Sequence, residues 1–230
     1  MPYPTPTRVD AAGVRLDADV VVPPDARGLV AFAHGSGSSR QSPRNRMVAG
    51  RLNGVGLATV LTDLLTPAED AHGGDLRFDV GLLGRRLRAV VDWAGTQPDL
   101  AALPLGLFGA STGAAAALLA AAGRPDRVRA VVSRGGRPDL AGEAARSVTA
   151  PTLLVVGALD TPVLALNKAV APRFGGPVAV HVVPGATHLF AEPGTLEAVV
   201  GAAAEWFDRY LTDGDLTLDG YLPAGGGSGR

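Results

Sequence analysis

The stretch "LFGASTGAAAALL", Leu107 to Leu119, decides the fold. An apolar run leads into Gly109-Ala110-Ser111-Thr112-Gly113, and an alanine-rich run leaves it. The first run reads as a strand buried on both faces, the second as a helix that is apolar all round. So abrupt a turn from strand to helix forces strained backbone angles on its central residue, Ser111. The flanking glycines, Gly109 and Gly113, remove side chains that would clash as strand and helix close on each other. Ser111 is then thrust out at the carboxyl end of the sheet, the edge where open α/β folds carry their sites. The N–H groups at the start of the helix, that of Thr112 among them, have no intrahelical partner and can hold a developing negative charge. Taken alone the pentapeptide also fits a plain small-residue turn; its place between strand and helix gives it chemical meaning.

The same alternation runs outward in both directions. Arg15–Val22 alternates in polarity and reads as an outer antiparallel strand paired with Thr7–Asp10 across Ala11-Ala12-Gly13. Continuous apolar runs at Leu29–His34, Leu57–Asp63, Leu103–Gly109, Val128–Ser133, Pro151–Gly157 and Val178–Val183 read as buried strands. Between them lie helical patterns. Leu83, Leu87, Val90 and Ala94 recur at helical spacing, with Arg85, Arg86 and Arg88 expected to face water. The helix after Ser111 is expected to stop at Gly123, with Pro125 just beyond. Thr195–Leu211 supplies a last amphipathic helix. Strand and helix alternate over most of the chain, which argues an α/β fold with a mainly parallel sheet. The expected domain is residues 1–213, followed by a flexible Gly/Ser-rich tail over 214–230.

Composition narrows the classes. The chain has 230 residues, 47% of them hydrophobic, enough for a sizeable core. Its net charge of −1 leaves no broad basic field for nucleic acid. With no cysteine, disulfides, thiolate metal sites and a cysteine nucleophile are excluded. The opening "MPYPTPTRVD" lacks the pattern of a signal peptide, and no apolar run is long enough to span a bilayer. The expectation is a soluble cytoplasmic protein, a monomer or small homo-oligomer, with no membrane or nucleic-acid partner. Gly35-x-Gly37-x-x-Arg40 lacks the third glycine of a dinucleotide fingerprint. Neither a Walker A sequence nor an HExxH pair occurs, so no cofactor or metal is expected.

A serine nucleophile needs a base, and there are four histidines to choose from. His34 ends a predicted strand, His72 sits in a polar loop, and His181 lies inside a predicted strand. His188 follows the last strand, in a loop at the carboxyl edge, and has the right place in chain order. The base needs an acid to fix its tautomer. Asp160, just past the preceding strand, is the choice, although Asp160-Thr161-Pro162 also suits an aspartate capping a helix. Asp139, one strand earlier, is the rival. "AHGSGSSR" supplies the second oxyanion donor: Gly35 and Gly37 let the backbone turn N–H groups inward, and that of Ser36 is favoured.

Taken together, "AHGSGSS", "GASTG", "GALDTPV" and "GATHLF" resemble the α/β-hydrolase superfamily, and more narrowly its dienelactone-hydrolase-like branch, over roughly residues 7 to 211. The resemblance implies an eight-stranded sheet with helices on both faces and a Ser111–Asp160–His188 triad working without a cofactor. It also implies hydrolysis of small-molecule esters through an acyl-enzyme. Dienelactone hydrolase itself uses a cysteine nucleophile. Ser111 at this position favours a more ordinary serine esterase. The same triad also serves thioesterases, amidases and acyltransferases, and the scaffold also supports non-catalytic ligand binding.

The segment between the strands ending near Ser133 and starting near Pro151 holds room for one short helix and no cap domain. A shallow, open site is expected. Arg134 and Arg137 open that segment near Ser111 and are candidates to clamp an anionic group of the substrate, against the plainer alternative of two solvated loop arginines. Arg40, Arg44 and Arg46 follow the oxyanion loop and carry the same two readings.

Overall fold

A computed structural model describes residues 3–72 and 74–212. The chain starts with an antiparallel hairpin, β1 (Thr5–Ala11) and β2 (Val14–Val21). Its two-residue turn, Ala12-Gly13, holds both residues at positive φ, the conformation whose twist matches the flanking strands. Strands β3 (Gly28–Ala33), β4 (Leu57–Thr62), β5 (Leu105–Ala110), β6 (Val128–Arg134), β7 (Thr152–Gly157) and β8 (Val178–Val183) follow. All eight join one sheet in the order β1-β2-β4-β3-β5-β6-β7-β8, parallel from β4 to β8. The strands lie where the apolar runs predict them, with ends shifted by one or two residues.

Helices cover both faces, and each face has its own core. On one side α3 (Val80–Ala94) and α4 (Thr112–Gly123) pack through Leu83, Leu87, Val90, Ala116 and Leu118. On the other, α1 (Pro43–Gly54) and α6 (Thr195–Leu211) pack through Val48, Leu52, Val199 and Phe207 against Phe32 and Phe108. Helix α4 is almost entirely small residues, which lets its axis approach the sheet closely. Two shorter helices, α2 (Pro67–Ala71) and α5 (Thr161–Val170), lie near the carboxyl edge. Between β6 and β7 the chain forms only short 3-10 turns over Pro138–Ser147, broken at Gly142, and no cap domain. The tail expected over 214–230 lies outside the described residues.

One expectation about α3 is corrected. Arg85 is exposed, but Arg86 is buried at 2% exposure. It forms a forked pair with Glu69 (2.6 and 2.8 Å) and donates to the Leu64 carbonyl at 2.8 Å. Helical periodicity places Arg86 beside buried Leu83 and Leu87, but only the folded chain brings Glu69 to it. Glu69 also completes a capping box with Thr66 at the start of α2. Hydrogen bonds from Arg86, helped by those of Thr66, hold the Glu69 carboxyl down at about 2.

Candidate active site

Ser111 sits between β5 and α4 with φ of 51° and ψ of −120°, a region that L residues rarely occupy. The flanking glycines make that turn sterically feasible. A Cβ on Gly109 would lie 2.5 Å from Ala114 Cα, and one on Gly113 would lie 2.5 Å from the His34 carbonyl oxygen. The Ser111 N–H donates to the Arg134 carbonyl at 3.1 Å, tying the turn to the neighbouring strand. The Ser111 side chain makes no capping bond to α4, so its hydroxyl is left for another partner.

That partner is His188. Its Nε2 lies 3.3 Å from Ser111 Oγ, and its Nδ1 lies 2.6 Å from Asp160 Oδ2. The carboxylate accepts, so Nδ1 carries the proton and Nε2 presents its lone pair to the serine hydroxyl. Asp160 stands at the N-terminus of α5 but its side chain does not cap that helix; it turns to His188 instead. The Asp160 side chain is 11% exposed and that of His188 39%. The His188 loop is braced by Glu192, which accepts from the Thr187 N–H at 3.1 Å and the Thr187 hydroxyl at 2.5 Å. Those bonds lower the Glu192 carboxyl below its ordinary value.

The rival acid is engaged elsewhere. Asp139 forms a forked pair with Arg137, at 2.8 and 2.7 Å, which lowers the Asp139 carboxyl and raises the Arg137 guanidinium. This occupies the donors of Arg137 that the sequence offered as a substrate clamp. The Arg137 backbone still touches the site, since its N–H donates to the Ser111 carbonyl at 3.1 Å. Arg134 is no solvated loop residue. It ends β6 at 7% exposure, with its guanidinium carbon 5.9 Å from the centre of the Phe190 ring.

The other histidines lie apart from Ser111 Oγ in their bonding. His34 is 9% exposed; its Nδ1 donates to the Gly35 carbonyl at 2.9 Å and its Nε2 accepts the Leu64 N–H at 3.0 Å. It joins the ends of β3 and β4. His72 bonds the Ala68 carbonyl through Nδ1, and His181 lies in β8 opposite Val155.

The loop after β3 reaches the start of α4. The Ser36 N–H donates to the Thr112 hydroxyl at 2.8 Å. Sequence reasoning gave Thr112 a role through its backbone alone and missed its side chain; no periodicity or spacing reports a bond across 76 residues. A cleft of about 190 Å3 opens beside this loop, between His34, Ser38, Ser39, Leu65 and Asp70. Among the described residues no group of three His, Asp or Glu side chains could hold a metal ion, and no helix is long and apolar enough to cross a membrane.

A model of the dienelactone hydrolase family matches residues 67–212. The crystal structure of dienelactone hydrolase from Anabaena variabilis is 52% identical, with a TM-score of 0.89 over 91% of this chain and 99% of that one. Est1E from Butyrivibrio proteoclasticus is 20% identical, with a TM-score of 0.75 over 89% of this chain and 98% of its own; at that identity the likeness is one of fold. A Mycobacterium tuberculosis protein, found in two strains and provisionally named a phosphoribosyl transferase, is 56% identical over 204 residues. The match takes in 89% of this chain and 46% of that protein, so the chain spans about half the length of the curated relatives it matches. The chain belongs to the dienelactone hydrolase family.

Proposed function

We propose that this member of the dienelactone hydrolase family is a serine hydrolase that cleaves carboxylic esters of small, soluble substrates through an acyl-enzyme. The observation that carries the reading is His188 standing between Ser111 Oγ, at 3.3 Å, and Asp160 Oδ2, at 2.6 Å. As Ser111 Oγ attacks the ester carbonyl carbon, its proton passes to His188 Nε2. The carbonyl oxygen becomes an oxyanion facing the N–H groups of Thr112 and Ser36, the latter exchanging the Thr112 hydroxyl for the substrate. His188 returns the proton to the leaving alkoxide, which departs as the alcohol. Water then attacks the acyl carbon, gives its proton to His188, and releases the acid while Ser111 recovers its proton. Asp160 keeps the imidazole oriented and stabilises its charged form.

The name of the M. tuberculosis relatives points to transfer of a phosphoribosyl group. Those proteins extend well beyond the matched residues, and the Ser111–His188–Asp160 arrangement within the match suits acyl transfer to water. The test is hydrolysis of 4-nitrophenyl acetate by the wild type and by Ser111→Ala. The variant is expected to lose at least about a thousandfold in kcat while melting at nearly the same temperature. A folded variant that keeps wild-type turnover would overturn the proposal.

A further inference from the structure

One buried side chain outside the Ser111–His188–Asp160 arrangement is tied to the backbone that supports it. Asn167 lies on α5, about two turns beyond Asp160, and is 0% exposed. Its Nδ2 donates to the Gly136 carbonyl at 2.9 Å and to the Val163 carbonyl, one helical turn back, at 2.8 Å. Both partners are acceptors, which fixes the orientation of the amide. Among the described residues this is the only side-chain hydrogen bond between α5 and the turn after β6.

That turn touches the rest of the site. The Gly135 N–H donates to the Val155 carbonyl of β7 at 2.8 Å, and the Arg137 N–H to the Ser111 carbonyl at 3.1 Å. Gly135 has φ of 51°, and a Cβ there would lie 3.2 Å from the His188 carbonyl oxygen and 3.6 Å from its Cε1. A Cβ on Gly136 would lie 2.5 Å from Ala114 Cβ, so the turn is pressed onto α4 just beyond Ser111. Gly135–Arg137 therefore meets both the nucleophile turn and the His188 loop, and Asn167 joins it to the helix that Asp160 precedes. The arrangement carries a cost. Asn167 Oδ1 is buried and accepts no hydrogen bond, which is unfavourable, whereas a leucine of similar size would leave no such orphan.

We propose that Asn167 is a positioning residue: by holding the Gly136 carbonyl it keeps the helix behind Asp160 in register with the turn that supports Ser111 and His188. It touches no reacting atom and acts through the backbone of Gly136. Without that bond α5 is free to slide against the turn, which lengthens the contact between Asp160 and His188. Misplacement by a fraction of an ångström slows the chemical step without weakening the binding of substrate. The kinetic consequence rests on the esterase reading; the alignment of Asp160 with His188 does not.

The experiment compares Asn167→Leu, which removes the donors at similar size, with Asn167→Gln, which keeps an amide. With 4-nitrophenyl acetate, at a temperature where each protein is folded, kcat should fall about tenfold in Asn167→Leu with KM nearly unchanged. Asn167→Gln should recover most of that loss. Asn167→Ala, which cannot overpack the site, takes the place of Asn167→Leu should that variant not fold. A folded donor-free variant with wild-type kcat, a loss confined to KM, or equal losses with and without the amide overturns the proposal. Proton NMR gives a readout that needs no turnover. The proton on His188 Nδ1, shared with the Asp160 carboxylate, should give a far-downfield resonance in the wild type that is missing in His188→Ala. It should move upfield in the donor-free variant, and an unchanged resonance overturns the proposal. If the wild type hydrolyses no ester, the esterase reading fails, and the resonance still decides whether Asn167 positions the acid.

Discussion

The backbone N–H of Ser36 donates to the hydroxyl of Thr112 at 2.8 Å, fastening the loop after β3 to the first turn of α4. The bond joins the two segments proposed to supply the oxyanion donors. It fixes the spacing of the two segments in the structure, and in the proposed mechanism the Ser36 N–H changes partner when the oxyanion forms.

Thr112→Val removes the acceptor while keeping the shape of the side chain. Losing a single hydrogen bond of this kind costs about 1 kcal/mol, so kcat for an activated ester should fall about fivefold, with KM less affected. Thr112→Ser keeps the hydroxyl and should keep most of kcat. Equal losses in the two variants would assign the effect to packing of the methyl group instead.

The two acids beside the site should separate cleanly. Asp160→Asn removes the charge that fixes the His188 tautomer, and kcat should drop by about a thousandfold or more. Asp139→Asn breaks only the pair with Arg137 and should leave kcat within about threefold while lowering the melting temperature slightly. Steady-state kinetics on the two purified variants would exchange these roles if Asp139→Asn proved the more damaging.

Acid should weaken the fold partly through Glu69. Its carboxyl titrates at about 2 when folded, against an ordinary value of 4.5, because Arg86 and Thr66 bond the ionised form. The unfolded chain therefore binds the extra proton first, and this contribution is complete above the ordinary value and is lost as pH falls from there towards 2. In Glu69→Gln the contribution is absent. The variant should be less stable than the wild type at neutral pH, where it leaves buried Arg86 without its carboxylate, and the two should converge in acid. Urea midpoints measured through that range check this; a constant gap at every pH would remove Glu69 as a source of acid sensitivity.

Between β6 and β7 the chain forms only short 3-10 turns, with no cap domain there to enclose a long acyl chain. A closed apolar tunnel would gain about 0.8 kcal/mol for each methylene buried. An open site gains little after the first few. Across 4-nitrophenyl esters from acetate to palmitate, kcat/KM should therefore peak at short chains. An optimum at about ten carbons or longer would require a buried acyl channel of that kind.

How much of this was legible in the sequence depended on how local the cause was. The strands and the Ser111 turn were legible because apolar runs and flanking glycines encode them within a few residues. His188 and Asp160 could be placed because chain order fixes which strand end each loop leaves, and parallel strand order makes those loops neighbours. Arg86 was misplaced because its burial depends on Glu69, 17 residues away on another helix. Arg137 and Arg134 were not told apart either. Charge alone could not tell that one is neutralised by Asp139 while the other is buried over Phe190. Nor could composition reveal that the Thr112 hydroxyl engages Ser36.

The central claim is that His188 and Asp160 activate Ser111, and a fluorophosphonate probe tests it directly. The probe bonds only to a serine whose oxygen has a base beside it and donors for the developing oxyanion. Peptide mass spectrometry of the labelled protein should find one rapid adduct, on Ser111, that is absent in Ser111→Ala and strongly slowed in His188→Ala. Failure of the folded wild type to react, or reaction at a different serine, would contradict the account.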